Sequence, residues 1–156
     1  EAYLDFIVSI FARYKKTIGH EVAREMLEWT NTHTYYTQQL CNRVFASTKK
    51  DVTSDVWKRQ ALLLLKEQES VFFTLRNMLT KPQWKLLKAI ACDKMVYQPT
   101  AKGFLSKHHL GTSATVLRSL KTLSDYELVI NDFDAAGNSY YTVYDVFLQR
   151  WTESAI

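Results

Sequence analysis

From Thr80 to Trp151 the chain sets out a helix, a short extended segment, two further helices and a strand–turn–strand unit, with little room between them. The first helix is announced by its own start. Thr80 is a capping residue, Pro82 falls in the first turn, and Gln83 stands three residues after the cap, placed to reach back to the cap N–H. Trp84, Leu87, Ile90 and Ala91 then recur at helical spacing and supply a buried face. Residues 95–99 read as extended, because Pro99 biases Gln98 away from helical backbone. A second helix is expected from Thr100 through Lys107, and Leu110-Gly111-Thr112 makes a turn. A third helix spans Ser113 to Asp125, with Ala114, Leu117, Leu120 and Leu123 expected inside. Leu128-Val129-Ile130 and Tyr140-Tyr141-Thr142-Val143 flank a turn at residues 135–138. Asp145 then caps a closing helix that carries Phe147 and Trp151 one turn apart.

A helix-turn-helix with a wing appended has this order, which makes nucleic acid the first partner to consider. With the apolar set inside, Ser113, Thr115, Arg118, Ser119 and Thr122 are expected on the outer face of the third helix. Hydroxyls at a helix start suit phosphate or base-edge contact, and Arg118 is the natural bidentate donor to guanine. Lys102, Lys107 and Lys121 add candidate phosphate contacts, and Asn138 is the one useful donor at the wing tip. Asp132 and Asp134 flank that tip and repel a phosphate backbone. Double-stranded DNA and a protein partner therefore both stay open. His108 and His109 read as a solvated turn, since no further ligands stand at metal-site spacing. Tyr140, Tyr141, Tyr144, Phe147 and Trp151 read as core rather than a base-stacking platform.

The first half is helical by pattern. Tyr3, Ile7, Ile10 and Tyr14, joined by Leu4, Val8 and Phe11, mark a helix expected to stop at Gly19. Val22, Met26, Leu27 and Trp29 mark a second. Thr32 or Thr34 is expected to cap a third, striped by Tyr36, Leu40, Cys41, Val44 and Phe45. Residues 47–51 read as a polar connection. Thr53 caps a long helical region through Leu79, expected to bend near residues 67–70. The fold class is thus mainly α: a helical bundle over residues 1–79, then a winged helix-turn-helix domain over residues 80–156 with a small β-hairpin wing. The boundary at Leu79–Thr80 has no Gly/Ser-rich stretch, so the halves are expected to pack rigidly.

Composition narrows the function classes. At 156 residues and 47% hydrophobic content the chain can bury one ordinary core or two small ones. No run approaches the roughly 20 apolar residues of a membrane span. The start lacks a basic segment and a cleavage site, so no signal peptide is expected, and a cytoplasmic placement is the expectation. Beginning on Glu1, the chain reads as part of a longer protein. Cys41 and Cys92 are too few for a disulfide framework or a metal site and read as small buried apolar side chains. The net charge is +4, and its basic excess is shared. Residues 1–79 hold 11 Lys/Arg against 9 Asp/Glu, and residues 80–156 hold 9 against 7. Gly19, Gly103, Gly111 and Gly137 are isolated and none precedes Lys-Ser/Thr, so there is no phosphate-binding loop. No strand ends in paired acids to hold magnesium. The chain alone is not expected to be an enzyme or to carry a cofactor.

The segments QWKLLKAIA, VYQPT, LGTSATV and YYTVYDVFLQRW together resemble the C-terminal end of the prokaryotic AAA-type ATPases often called archaeal-type. NTHTYYTQQLCNRVF is similar to the signature of their helical lid, usually Gly-His-Pro followed by aromatics and Gln-Leu-Cys. It departs from that signature at Thr32, where the family tends to have Gly, and at Thr34, where it tends to have Pro. The resemblance covers nearly the whole chain. It implies a lid-like bundle followed by a winged helix, with the P-loop domain N-terminal to Glu1 in the parent chain and ATP and magnesium bound by that parent. His33, at the start of a helix beside free N–H groups, then becomes a candidate to face nucleotide phosphate; the competing reading is a local hydrogen bond. The alternative to the ATPase reading is a free-standing winged-helix transcription regulator whose helical half dimerises.

Overall fold

A computed structural model describes residues 1–154. It divides into two compact units, Glu1–Gln68 and Glu69–Ile156. Among the described residues no helix is long and apolar enough to cross a membrane.

In the first unit, α1 (Ala2–Arg13), α2 (His20–Trp29), α3 (Thr34–Ser47) and the start of α4 (Ser54–Met78) bury Leu4, Ile7, Phe11, Met26, Leu40, Val44, Trp57 and Leu64. Helix α1 ends at Arg13 rather than running to Gly19, because Lys15 turns the backbone left-handed at φ 59°. The freed residues form β1 (Thr17–Ile18), which pairs in parallel with β2 (Asp51–Val52) through Thr17↔Asp51 and Ile18↔Val52. The expected polar connection therefore ends in a strand. The N-cap of α3 is His33, not Thr32 or Thr34. Asn31 and Thr32 precede it in left-handed backbone, at φ 51° and 56°, which brings the chain round from α2. Buried Thr30 and Thr37 satisfy each other across that turn, their hydroxyls 2.7 Å apart.

The second unit begins inside α4, N-terminal to the Leu79–Thr80 boundary expected from sequence. The last turns of α4 belong to this unit because their aromatics pack within it. The Phe72 and Phe73 rings lie 5.5 and 5.1 Å from Trp151, and the Arg76 guanidinium stands over Trp84. Helix α5 (Lys81–Asp93) opens with the expected capping box, Thr80 N–H donating to Gln83 Oε1 at 2.8 Å. Helix α6 is Lys102–His108, with Ala101 rather than Thr100 at its start. Helix α7 is Ser113–Asp125, β3 is Val129–Phe133, β4 is Ser139–Val143 and α8 is Val146–Ser154. The hairpin is antiparallel from Val129↔Val143 to Phe133↔Ser139. Val96 adds a third, one-residue strand by exchanging both backbone hydrogen bonds with Tyr141. Asp145 caps α8 as expected, accepting from Phe147 N and Leu148 N.

The core gathers Leu86, Leu87 and Ile90 of α5, Val116, Leu120 and Leu123 of α7, Val129, Val143, Phe147 and Leu148. Of the aromatic set assigned to it, Phe147 and Trp151 are buried, whereas Tyr144 is exposed. Cys92 is exposed too, against its expected burial.

Candidate nucleic-acid interface

The turn between α6 and α7 is fixed by backbone chemistry. His109 ends α6 in left-handed conformation, and Gly111 takes φ 81°, which glycine alone adopts without strain. Buried Leu110 anchors the turn from within. Thr112 caps α7, its hydroxyl accepting from Thr115 N at 3.3 Å. The second and third helices of a helix-turn-helix are thus set in place by four consecutive residues.

The rotation of α7 differs from expectation. Its buried stripe is Val116, Ser119, Leu120 and Leu123, at i, i+3, i+4 and i+7. Ala114 and Leu117 are exposed, Leu117 by 54%. Ser119 is only 5% exposed and is withdrawn from the interface. Two apolar stripes compete along this helix. The one through Val116 wins because its i, i+3, i+4, i+7 spacing keeps to one face of the helix, whereas steps of three alone from Ala114 to Leu123 wind around it. Val116, Leu120 and Leu123 are the signal in the sequence that marks this rotation, and therefore marks Ala114 and Leu117 as outward residues.

The remaining candidates fall into two groups. Arg118 and Lys102 are exposed, and neither enters an ion pair among the described residues. Ser113 is exposed in the first turn of α7. The others are already engaged. The hydroxyls of Thr115 and Thr112 lie 3.0 Å apart within the cap, and Thr122 donates to the Arg118 carbonyl. Lys121 pairs with Asp125 at 2.8 Å, in a solvent-exposed bridge that holds the ammonium only weakly. Lys107 donates to Asp93 at 2.7 Å, and His108 Nε2 meets the same carboxylate at 3.0 Å. His108 is therefore not in a solvated turn: it is mostly buried, with its ring 4.9 Å from Phe104. Burial pushes the Asp93 carboxyl up, but the hydrogen bonds and charges of Lys107 and His108 outweigh it and hold the group below the usual carboxylate range.

The wing is organised around Asp134. Its carboxylate accepts from Ala136 N, Asn138 N, Asn138 Nδ2 and Tyr97 Oη. Hydrogen bonds from the Asn138 backbone and side chain chiefly hold its pKa down, and the bond to Asp134 holds the Tyr97 phenol up. Asn138 is thus committed to the turn and is not a free tip donor. Asp132 accepts from Tyr140 Oη at 3.3 Å, and the Tyr97 and Tyr140 rings lie 5.8 Å apart. The wing is consequently hydrogen-bonded within itself, acidic and aromatic, and its two carboxylates would repel a phosphate backbone.

His33 sits in the first unit as the exposed N-cap of α3, its ring edge-on to Tyr36 at 5.0 Å, and it makes no side-chain capping bond. Among the described residues no group of three His, Cys, Asp or Glu side chains gathers to hold a metal ion.

Three helices, a capped turn into an exposed third helix, and a two-stranded wing define a winged helix-turn-helix. The chain belongs to the family described as a probable winged helix domain, whose model matches residues 70–154. That match begins in the last turns of α4, as the second unit does. No curated protein and no solved structure matches the chain.

Proposed function

We propose that the chain is the C-terminal regulatory portion of an AAA-type ATPase, and that its winged helix docks double-stranded DNA through α7. The observation that carries the DNA reading is the outward crest of α7, where Arg118 stands beside Ala114 and Leu117, with Lys102 at the start of α6, neither in an ion pair among the described residues. A planar guanidinium free of ion pairs is the side chain best matched to a guanine edge or a phosphate. Affinity is weak and salt-sensitive, because the basic excess is small and the wing contributes carboxylates.

The ATPase reading rests on the lid-like residues NTHTYYTQQLCNRVF, with His33 at the start of α3 facing nucleotide held by a P-loop domain of the parent chain. The parent gene tests it. A P-loop domain upstream supports the proposal, whereas an open reading frame starting near Glu1 favours a free-standing regulator.

A protein partner is the second reading. Leu117 favours it, since an exposed leucine on a helix crest also suits a protein groove. Fluorescence anisotropy on a panel of duplexes at low salt separates the two. Binding that Arg118→Ala weakens by about 1–3 kcal/mol at a preferred site supports DNA. No binding to any duplex shifts the assignment to a protein.

A further inference from the structure

Resting on the DNA reading above, we infer that α7 reads the C5 methyl group of thymine through Ala114 and Leu117, next to a guanine read by Arg118. Most of the polar side chains that sequence alone offers for base reading are spent. Thr115 is tied into the cap with Thr112, Thr122 bonds the Arg118 carbonyl, and Ser119 lies in the core. Asn138 is bound to Asp134 on the wing. Along the outward crest that leaves Ser113, Ala114, Leu117 and Arg118, with Lys121 tethered to Asp125.

Half of that free set is apolar, and the major groove offers an apolar side chain one partner, the thymine methyl. Guanine N7 and O6 both accept hydrogen bonds, which best suits the bidentate guanidinium fork of Arg118. Ala114 lies one helical turn from Leu117 and Arg118, about 5.4 Å along the axis. Base pairs rise by roughly 3.4 Å per strand. The apolar and guanidinium contacts therefore fall within one or two base pairs of each other. The preferred duplex carries guanine within that distance of thymine, and the thymine methyl is itself a recognition element.

The test uses the full chain. Duplexes are selected from a randomised pool at about 50–200 mM salt, and binding is then measured by anisotropy with each selected thymine replaced by deoxyuridine, which removes the methyl alone. The unmodified chain loses about fourfold in affinity per methyl, the change expected for burying one such group. Leu117→Ala, altered at an exposed position, loses affinity for the thymine duplex and distinguishes it from the uracil duplex by less than the unmodified chain does, Ala114 keeping the remainder. Replacing the selected guanine by 7-deazaguanine, which lacks N7, weakens the unmodified chain and leaves Arg118→Ala unaffected. A chain that binds DNA but enriches no sequence, or binds thymine and uracil duplexes equally, overturns the methyl readout and leaves the DNA reading standing. Failure to bind any duplex overturns both.

Discussion

Replacing Phe72 by alanine tests whether the end of α4 belongs to the winged-helix unit. Phe72 is 2% exposed and its ring lies 5.5 Å from Trp151, which in turn lies 6.0 Å from Trp84. Deleting a core phenylalanine costs about 3–5 kcal/mol in lost transfer energy and residual cavity. The aromatic contact adds about 0.5–1.5 kcal/mol beyond area. Its neighbour Phe73 touches the same Trp151 at 5.1 Å but is 42% exposed. With roughly half the burial of a core side chain, Phe73→Ala should cost about 1–2 kcal/mol. Native-state hydrogen exchange resolved by residue reads the second unit by itself, through the amides of buried Leu86, Ile90 and Leu120. Phe72→Ala should lower their opening free energy by at least about 3 kcal/mol, well beyond the effect of Phe73→Ala. Equal effects from the two substitutions, or a loss below about 1 kcal/mol from Phe72→Ala, would refute the assignment of this segment to the winged-helix core.

Two further predictions concern charge and nucleotide. Because the Asp93 carboxyl is held below its ordinary range, its ionised form stabilises the fold above the unfolded-state pKa, near 4, and that contribution is lost as pH falls through the lower folded value. Asp93→Asn should therefore cost about 1–2 kcal/mol at pH 7, and the gap from the unmodified chain should narrow in urea denaturation as pH falls through the lowered folded range of the carboxyl; a gap that widens in acid contradicts the geometry. Isothermal titration with Mg-ATP should show no binding tighter than about 100 μM, since the chain carries no phosphate-binding loop, and heat from a tighter site would show nucleotide chemistry that the proposal assigns to the parent alone.

What the sequence made legible is what local chemistry decides. The Thr80–Gln83 capping box, the Asp145 cap and the hairpin turn around Gly137 each depend on residues within a few positions of one another. The β1–β2 pairing was not legible, because two-residue strands separated by α2 and α3 leave no periodicity to read. Helical spacing continues unbroken through α4, so it is contacts that decide which unit its last turns join: Phe72 and Phe73 pack on Trp151, and Arg76 on Trp84. The site suffered most from α7. Apolar content favoured Ala114 and Leu117 as core, yet the winning stripe accepts Ser119 in order to bury Val116. Asn138 and Lys107 were legible as residue types but not as partners of Asp134 and Asp93, since those pairings are made by the fold.

The central claim is that the crest of α7 is the DNA-docking face. Titrating duplex DNA into the isotopically labelled chain, and mapping amide shift changes by NMR, tests it most directly. The account predicts changes concentrated on residues 113–121 and around Lys102, diminishing with added salt, while the acidic wing at Asp132 and Asp134 moves little. Shifts centred on the wing with α7 undisturbed, or no shifts with any duplex at low salt, would contradict it.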